Sequence, residues 1–209
     1  MKLKNKNVIF ALTGSFCNLN SIILQMKELV NENANVIPIM SYTAYKLDTK
    51  FGNVKEYIKK IEEITGNKII HTIKDSEQLL FKDITDIMII APCTGNTLAK
   101  LSNGICDSPV LLASKLHLRN NKPIVIGIST QDGLSTNAEN IGKLLNRKDY
   151  FFVPFRQSNP VTKPYSISFD FKYIKKTLEY ALDKEQIQPL LVWDKDYLTK
   201  GWNLHKNVL

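Results

Sequence analysis

Four strongly apolar runs constrain the fold of this chain most, because strands this hydrophobic cannot leave one face in water. They are VIFAL at 8–12, VIPIM at 36–40, IMIIA at 87–91 and IVIGI at 124–128. Segments with apolar residues at helical spacing lie between them. Apolar strands that alternate with amphipathic helices indicate a parallel sheet covered on both sides. We therefore predict a doubly wound, three-layer α/β/α sandwich with a mainly parallel sheet of about six strands.

The same patterns set the expected boundaries. The predicted strands are 8–14, 34–41, 68–73, 85–92, 122–130 and 150–155. Pro92 is expected to end the fourth strand, and the polar stretch 156–166 is expected to be a loop before a last helix at about 169–184. We predict one domain over 1–192 and a tail over 193–209, which lacks periodicity and is either loose or bound to a partner.

Charge and composition exclude several classes of function. The net charge is +8, but the lysines are dispersed over polar helix faces, which does not predict a nucleic-acid partner and does favour anionic ligands. Three cysteines without CxxC spacing and three scattered histidines predict no metal site and a reduced, cytosolic protein. The first apolar run is shorter than the roughly 7–15 residues of a signal peptide core, and no run approaches the ~20 residues of a membrane span.

Ligands of such sheets bind beyond the carboxyl ends of the strands, so the loops there are the candidate site. After the first strand, Gly14 permits close approach of the backbone, and Ser15 precedes the amides that open the next helix. An ordinary strand-to-helix turn would have the same residues. After the second strand, the hydroxyls of Ser41 and Thr43 can donate to a phosphate or satisfy the last carbonyls of the strand.

The stretch APCTGNTLAKLSNG, 91–104, is the most informative junction. Thr94 and Asn96 can accept from backbone amides while offering side-chain donors, and Thr97 caps or begins the helix. Gly95 removes a side chain that would block an approaching ring or phosphate. The alternative is a well-capped helix start without a ligand.

Two further residues are candidates for substrate binding. Asp107 lies at the next helix start, where it binds a ligand or caps the helix. Arg156 can hold a substrate carboxylate in a bidentate fork, although an exposed surface arginine fits the sequence as well. Asp132 is the only acid in the loops 129–137 and 154–160, and a general-base role for it has no further support in the sequence.

LTGSF after the first strand and APCTGNTLAKLSNGICDSPV after the fourth resemble the FMN-binding flavoprotein family that includes the homo-oligomeric cysteine decarboxylases. That family has a TGS phosphate loop and an AP-x-T-x-NT-x-AK motif. The resemblance implies FMN as cofactor and a homo-oligomer. It implies the following cofactor-binding residues: Gly14, Ser15, Phe16, Ser41, Thr43, Pro92, Thr94, Gly95, Asn96 and Thr97.

The chain also departs from the decarboxylases. Their catalytic His lies in a segment like HIELA-x-x-AD, and the equivalent SEQLLFKDITD here contains no His. Their PAMN motif is replaced by ISTQDG, so cysteine decarboxylation is disfavoured. Longer stretches, such as YFFVPFRQSNPVTKP, resemble one synthase component of the family. That resemblance implies a small anionic dicarboxylate substrate, oxidation of its ring, and a partner protein of the synthase that carries the NADP-binding module.

Overall fold

The structure is a computed structural model that describes residues 2–15, 19–48, 52–81 and 83–193. The tail from 194 onward lies outside the described residues, so the division into domain and tail stays a prediction. The last described residue, Trp193, is 71% exposed.

Five parallel strands form the main part of the sheet. They are β1 Asn7–Leu12, β2 Asn35–Met40, β3 Ile87–Cys93, β4 Ile124–Thr130 and β5 Tyr150–Phe152. Their spatial order is β2, β1, β3, β4, β5. The chain proceeds outward from β1 to β2 in one direction and from β3 through β4 to β5 in the other. The direction therefore reverses between β1 and β3, which is where doubly wound sheets open a crevice for ligands.

A β-hairpin extends the sheet beyond β4. Its strands are β6 Phe155–Asn159 and β7 Lys163–Phe169, and β7 pairs antiparallel with the last two residues of β4. The prediction of a loop over 156–166 is therefore wrong. The side chain of Asn159 accepts from the amides of Val161 and Thr162 and so closes the turn. The predicted strand 150–155 is split between β5 and β6.

Helices cover both faces of the sheet. They are α1 Leu19–Asn31, α2 Tyr42–Lys46, α3 Val54–Thr65, α4 Ile73–Phe81, α5 Gly95–Ser102, α6 Pro109–Arg119, α7 Ala138–Leu145 and α8 Ile174–Leu182. Helix α8 packs beside α1, and α5 packs against both α6 and α7. Because crossovers between parallel strands are right-handed, these two groups are expected on opposite faces of the sheet. Every residue of β3 is buried, which confirms the three-layer sandwich. Among the described residues, no helix combines the length and apolarity that a bilayer crossing needs.

The predicted strand 68–73 is also wrong. Ile70 makes one isolated parallel bridge with Ile39, and α4 begins three residues later. The Thr72 hydroxyl accepts from the Asp75 amide at 3.1 Å and donates to the Asp75 carboxylate at 2.6 Å. This reciprocal cap at the helix start outweighs the β-branched residues of the segment.

A buried histidine fixes α6 at the opposite edge of the sheet. The His117 ring lies 3.1 Å from the Pro123 carbonyl and 3.3 Å from the Thr85 hydroxyl. Burial lowers the pKa of His117 from 6.5 to about 4, so the neutral ring is the packed form.

Candidate functional site

Two polar cavities meet at the carboxyl edge of the sheet, beside the reversal between β1 and β3. The larger cavity has a volume of about 970 Å³ and the smaller cavity about 450 Å³. Gly14, Thr94 and Asn96 line both. The two cavities are therefore adjacent, and the predicted loops after β1 and β3 form the boundary between them.

The smaller cavity lies at the starts of α5 and α6. Thr94 caps α5 by accepting from the Thr97 amide at 3.4 Å. Ser108 caps α6 in the same way, by accepting from the Leu111 amide at 3.4 Å. Both caps line the cavity. The first-turn amides of a helix have no intrahelical partner, and the helix dipole adds partial positive charge there. The smaller cavity is thus suited to an anionic group.

Hydroxyls after β2 form the opposite wall of the smaller cavity. Ser41 and Thr43 both line it, as predicted for a shared edge. Ser41 Oγ accepts from the Ala44 amide at 3.2 Å and caps α2, so it serves the backbone and retains a hydrogen to donate.

Lys100 supplies a cation to the smaller cavity. Its Nζ lies 2.5 Å from Asp107 Oδ2, and both residues line the cavity. Because Ser108 caps α6, the alternative in which Asp107 is the cap is wrong. Asp107 instead neutralises a lysine at the cavity wall, and Lys100 is a charged residue that the sequence analysis did not select.

A threonine ties the ends of β1 and β3 together. Thr13 Oγ1 donates to the Pro92 carbonyl at 2.7 Å and accepts from the Thr94 amide at 3.0 Å. Pro92 is buried and does not end β3, which continues to Cys93 after a shift in register. The two strand ends that flank the cavities are therefore held at a fixed separation.

Gly95 is required for a different reason from the one expected. A Cβ there would lie 2.4 Å from Thr130 Oγ1, 2.6 Å from Asn137 Nδ2 and 3.0 Å from Asp132 Oδ1. The space beside Gly95 is occupied by this chain's own polar side chains. Thr97 lies inside α5, and Thr94 rather than Thr97 is the cap.

Those side chains form a hydrogen-bonded cluster on the wall of the larger cavity. Asp132 accepts from Thr130 Oγ1 at 2.5 Å and from Asn137 Nδ2 at 2.8 Å. Asn137 Oδ1 accepts from Asn140 at 3.0 Å, and Asn140 Oδ1 accepts from Ser102 at 2.6 Å. The cluster links the segment between β4 and α7 to α5, and it fixes the orientation of the Asp132 carboxylate.

Serines that the sequence analysis did not select form much of the larger cavity. Ser158 Oγ lies 3.2 Å from the hydroxyls of both Ser166 and Ser168, and Ser166 donates to the Thr130 carbonyl at 3.1 Å. Ser129 lines the same cavity. The alternation of Ser166 and Ser168 is a strand pattern that could have been recognised. The sequence predicts a loop over 156–166, so this alternation was not assigned to a strand.

The remaining predicted residues are distributed differently. Ser15 lines the larger cavity, with its hydroxyl 2.8 Å from Ser129 Oγ. Phe16 lies outside the described residues. Arg156 lies on β6 with its guanidinium 3.9 Å from Asp170, and it lines a separate apolar groove beside Trp193. The structure therefore does not bring Arg156 together with Asp107.

In doubly wound α/β domains, ligands bind in a crevice at the strand reversal, and this chain has helix starts and hydroxyls around that crevice. The Flavoprotein family model matches residues 1–164, and this chain belongs to that family. Within it, the chain is 44% identical to the B subunit of dipicolinate synthase of Bacillus subtilis (strain 168) over 190 residues, which cover 91% of this chain and 95% of that protein.

Solved structures agree with this family membership. The crystal structure of the B subunit of dipicolinate synthase from Bacillus halodurans C matches with a TM-score of 0.85 and 42% identity, over 93% of this chain and 100% of that one. The FMN-dependent cysteine decarboxylase SpaF is 18% identical with a TM-score of 0.65, over 87% of this chain and 99% of that one, and shows the fold alone. The family resemblance predicted from the sequence motifs is confirmed.

Proposed function

We propose that this chain is the B subunit of dipicolinate synthase, with a role in oxidising a cyclic dihydro- or tetrahydrodipicolinate intermediate to dipicolinate. It acts as an oxidoreductase component with the synthase's A subunit, its NADP-carrying partner, in the cytoplasm of a sporulating cell. The similarity to the Bacillus subtilis protein over 91% of the chain supports this role. The family resemblance further leads us to expect a homo-oligomer.

The observation that carries the proposal is the junction of the two cavities at Gly14, Thr94 and Asn96. A ligand with an anionic end and a broad polar body would place the first in the smaller cavity and the second in the larger. FMN has that form, and the residues present fit it. The amide of Asn96, which lines both cavities, belongs to the first turn of α5, so the positive end of that helix would face a phosphate in the smaller cavity.

Other residues complete the proposed cofactor site. Ser41, Thr43 and Lys100 would donate to the phosphate from the remaining walls of the smaller cavity. Ser15 and Ser129 would contact the ring system from the larger cavity. Bound FMN supplies a hydride acceptor, which the side chains of this chain do not.

For the substrate, the described residues of the larger cavity offer mainly neutral hydroxyls, together with one cation and the carboxylate of Asp132. The serines of the hairpin can donate to carboxylate oxygens, and Lys163 at the start of β7 adds a positive charge. These groups bind and orient a small dicarboxylate. The wall formed by β7 also separates the bound ring from water on one side.

A second candidate function follows from the same lining. Lys100 and Lys163, one in each cavity, could hold the two carboxylates of the substrate directly. The chain would then bind substrate without flavin, and the NADP-carrying partner would perform all redox chemistry.

The two candidates are separated by titrating the purified chain with FMN and following the flavin fluorescence. We expect saturable binding that Asn96→Ala weakens about 5- to 30-fold, because the side chain of Asn96 lines both cavities and would form hydrogen bonds to the flavin worth ~1–2 kcal/mol. Asn103→Ala, at the other end of α5, is the matched control and should leave the affinity unchanged. Absence of saturable FMN binding, with or without the NADP-carrying partner, would contradict the flavin role. Binding of dipicolinate alone would then support the second candidate.

A further inference from the structure

We propose that Asp132 is the group that accepts the proton released when the substrate ring becomes aromatic. The inference rests on the proposed function. Loss of two hydrogens from a dihydropyridine breaks two bonds: one hydrogen leaves with its electron pair as hydride to the nicotinamide or flavin acceptor. The other leaves as a proton to the Asp132 carboxylate, and the electron pair of that bond completes the aromatic ring.

The chemistry of the cavity lining selects Asp132. Asp132 is the one carboxylate among the described residues that line the larger cavity. The other polar groups of the lining are hydroxyls, amides, Lys163 and Tyr165. Lysine and tyrosine carry their protons at neutral pH, and serine and threonine hydroxyls are far weaker bases than a carboxylate. Proton transfer to a positioned base typically contributes 10²–10⁴-fold to a rate, so a site of this kind gains from one.

The position of Asp132 places it beside the proposed cofactor site. Its Oδ1 would lie 3.0 Å from a Cβ on Gly95, the first residue of α5. The carboxylate is therefore packed against the helix start at which the two cavities meet. A substrate ring in the larger cavity that contacts this junction would lie near the Asp132 carboxylate and beside the proposed flavin site.

The hydrogen bonds of Asp132 orient its carboxylate and leave capacity on both oxygens to accept further hydrogens. Its two oxygens offer about four acceptor positions, and Thr130 and Asn137 fill one on each oxygen. Asn137 is itself 5% exposed and held by Asn140, so the carboxylate has a fixed support. This is the arrangement of a base oriented by a third group.

The turn that carries Asp132 is also held from the other side. Gly133 is buried against β7, and a Cβ there would lie 2.8 Å from Ile167. The turn is therefore clamped between α7 and the hairpin that forms the opposite wall of the cavity. Rigid support of this kind is what a catalytic group needs.

The test uses the complex of this chain with its NADP-carrying partner and follows dipicolinate formation by its absorbance. Asp132→Asn should lower kcat about 10²- to 10⁴-fold, with FMN affinity within about threefold of wild type. Glu139→Gln, on the exposed side of α7, is the control and should keep the wild-type rate. In Asp132→Ala, added formate should restore part of the rate with saturation, which a merely structural role would not produce.

The outcomes distinguish the inference from the proposed function. A wild-type chain that leaves dipicolinate formation by the NADP-carrying partner unchanged would overturn the proposed function and the role of Asp132 with it. A wild-type chain that accelerates the reaction while Asp132→Asn acts at an undiminished rate would overturn the role of Asp132 alone. Loss of rate that matches a loss of FMN affinity, without rescue by formate, would likewise overturn it and leave Asp132 as a binding residue.

Discussion

Replacing Gly95 by alanine tests the packing at the centre of the site. The new Cβ would lie 2.4 Å from Thr130 Oγ1 and 2.6 Å from Asn137 Nδ2, both of which bond to Asp132. Relief of the overlap costs ~1–3 kcal/mol, and opening a hydrogen bond to the carboxylate costs ~1.5–3 kcal/mol. Helix propensity returns up to ~1 kcal/mol. We expect a net loss of ~1.5–6 kcal/mol in the free energy of unfolding, measured by urea denaturation.

Gly142→Ala is the matched control for this substitution. A Cβ at Gly142 meets nothing within 4 Å, and the residue lies inside α7. We expect this variant to gain ~0.5–1 kcal/mol, because alanine is the better helix former and restricts the unfolded chain. A Gly95→Ala chain as stable as wild type would refute the packing argument, because the hydrogen-bonded cluster around Asp132 would then have made room for the new Cβ without loss of stability.

Two further results should follow from the charges. Burial lowers the pKa of His117 from 6.5 to about 4, so the unfolded chain binds a proton at His117 more readily than the folded chain. The neutral, buried ring therefore contributes its full stability above about pH 6.5, and the free energy of unfolding falls by about 3 kcal/mol as the pH drops to 4. Urea denaturation across this range should show a smaller loss in His117→Gln, and equal losses would contradict the assignment. Lys100→Met should weaken FMN about tenfold and riboflavin, which lacks the phosphate, hardly at all. Lys143→Met on α7 is the control, and equal weakening of both flavins would place Lys100 elsewhere than at the phosphate.

Much of the fold could be predicted because its strands are apolar on both faces. β1, β2, β3 and β4 are buried runs of this kind, whereas their order in the sheet was not predicted. The segment 68–73 has the same apolar character, yet the Thr72–Asp75 cap directs the chain into α4. A TIKD sequence at the start of an apolar stretch is a capping signal, and local capping overrode β propensity.

The site was predicted where it depends on helix starts and missed where it depends on the hairpin. Ser41, Thr94 and Asn96 follow strands and converge because the carboxyl ends of parallel strands share one edge. Ser168 reaches the cavity because β7 pairs antiparallel with β4, and Ser158 because β6 pairs with β7. The alternation of serines indicates a strand but not which strand it pairs with. The sequence predicted that a side chain at Gly95 would block a ligand, whereas the structure shows that Thr130 and its neighbours fill the space.

The most direct test of the account is a crystal structure of the chain grown with saturating FMN. The account predicts the phosphate in the smaller cavity, within hydrogen-bond distance of the Gly95 or Asn96 amide and of Ser41 or Thr43, with the ring in the larger cavity near Ser129. Flavin bound with its phosphate at any other place, or crystals without flavin at saturation, would contradict the central claim that the two cavities form one cofactor site.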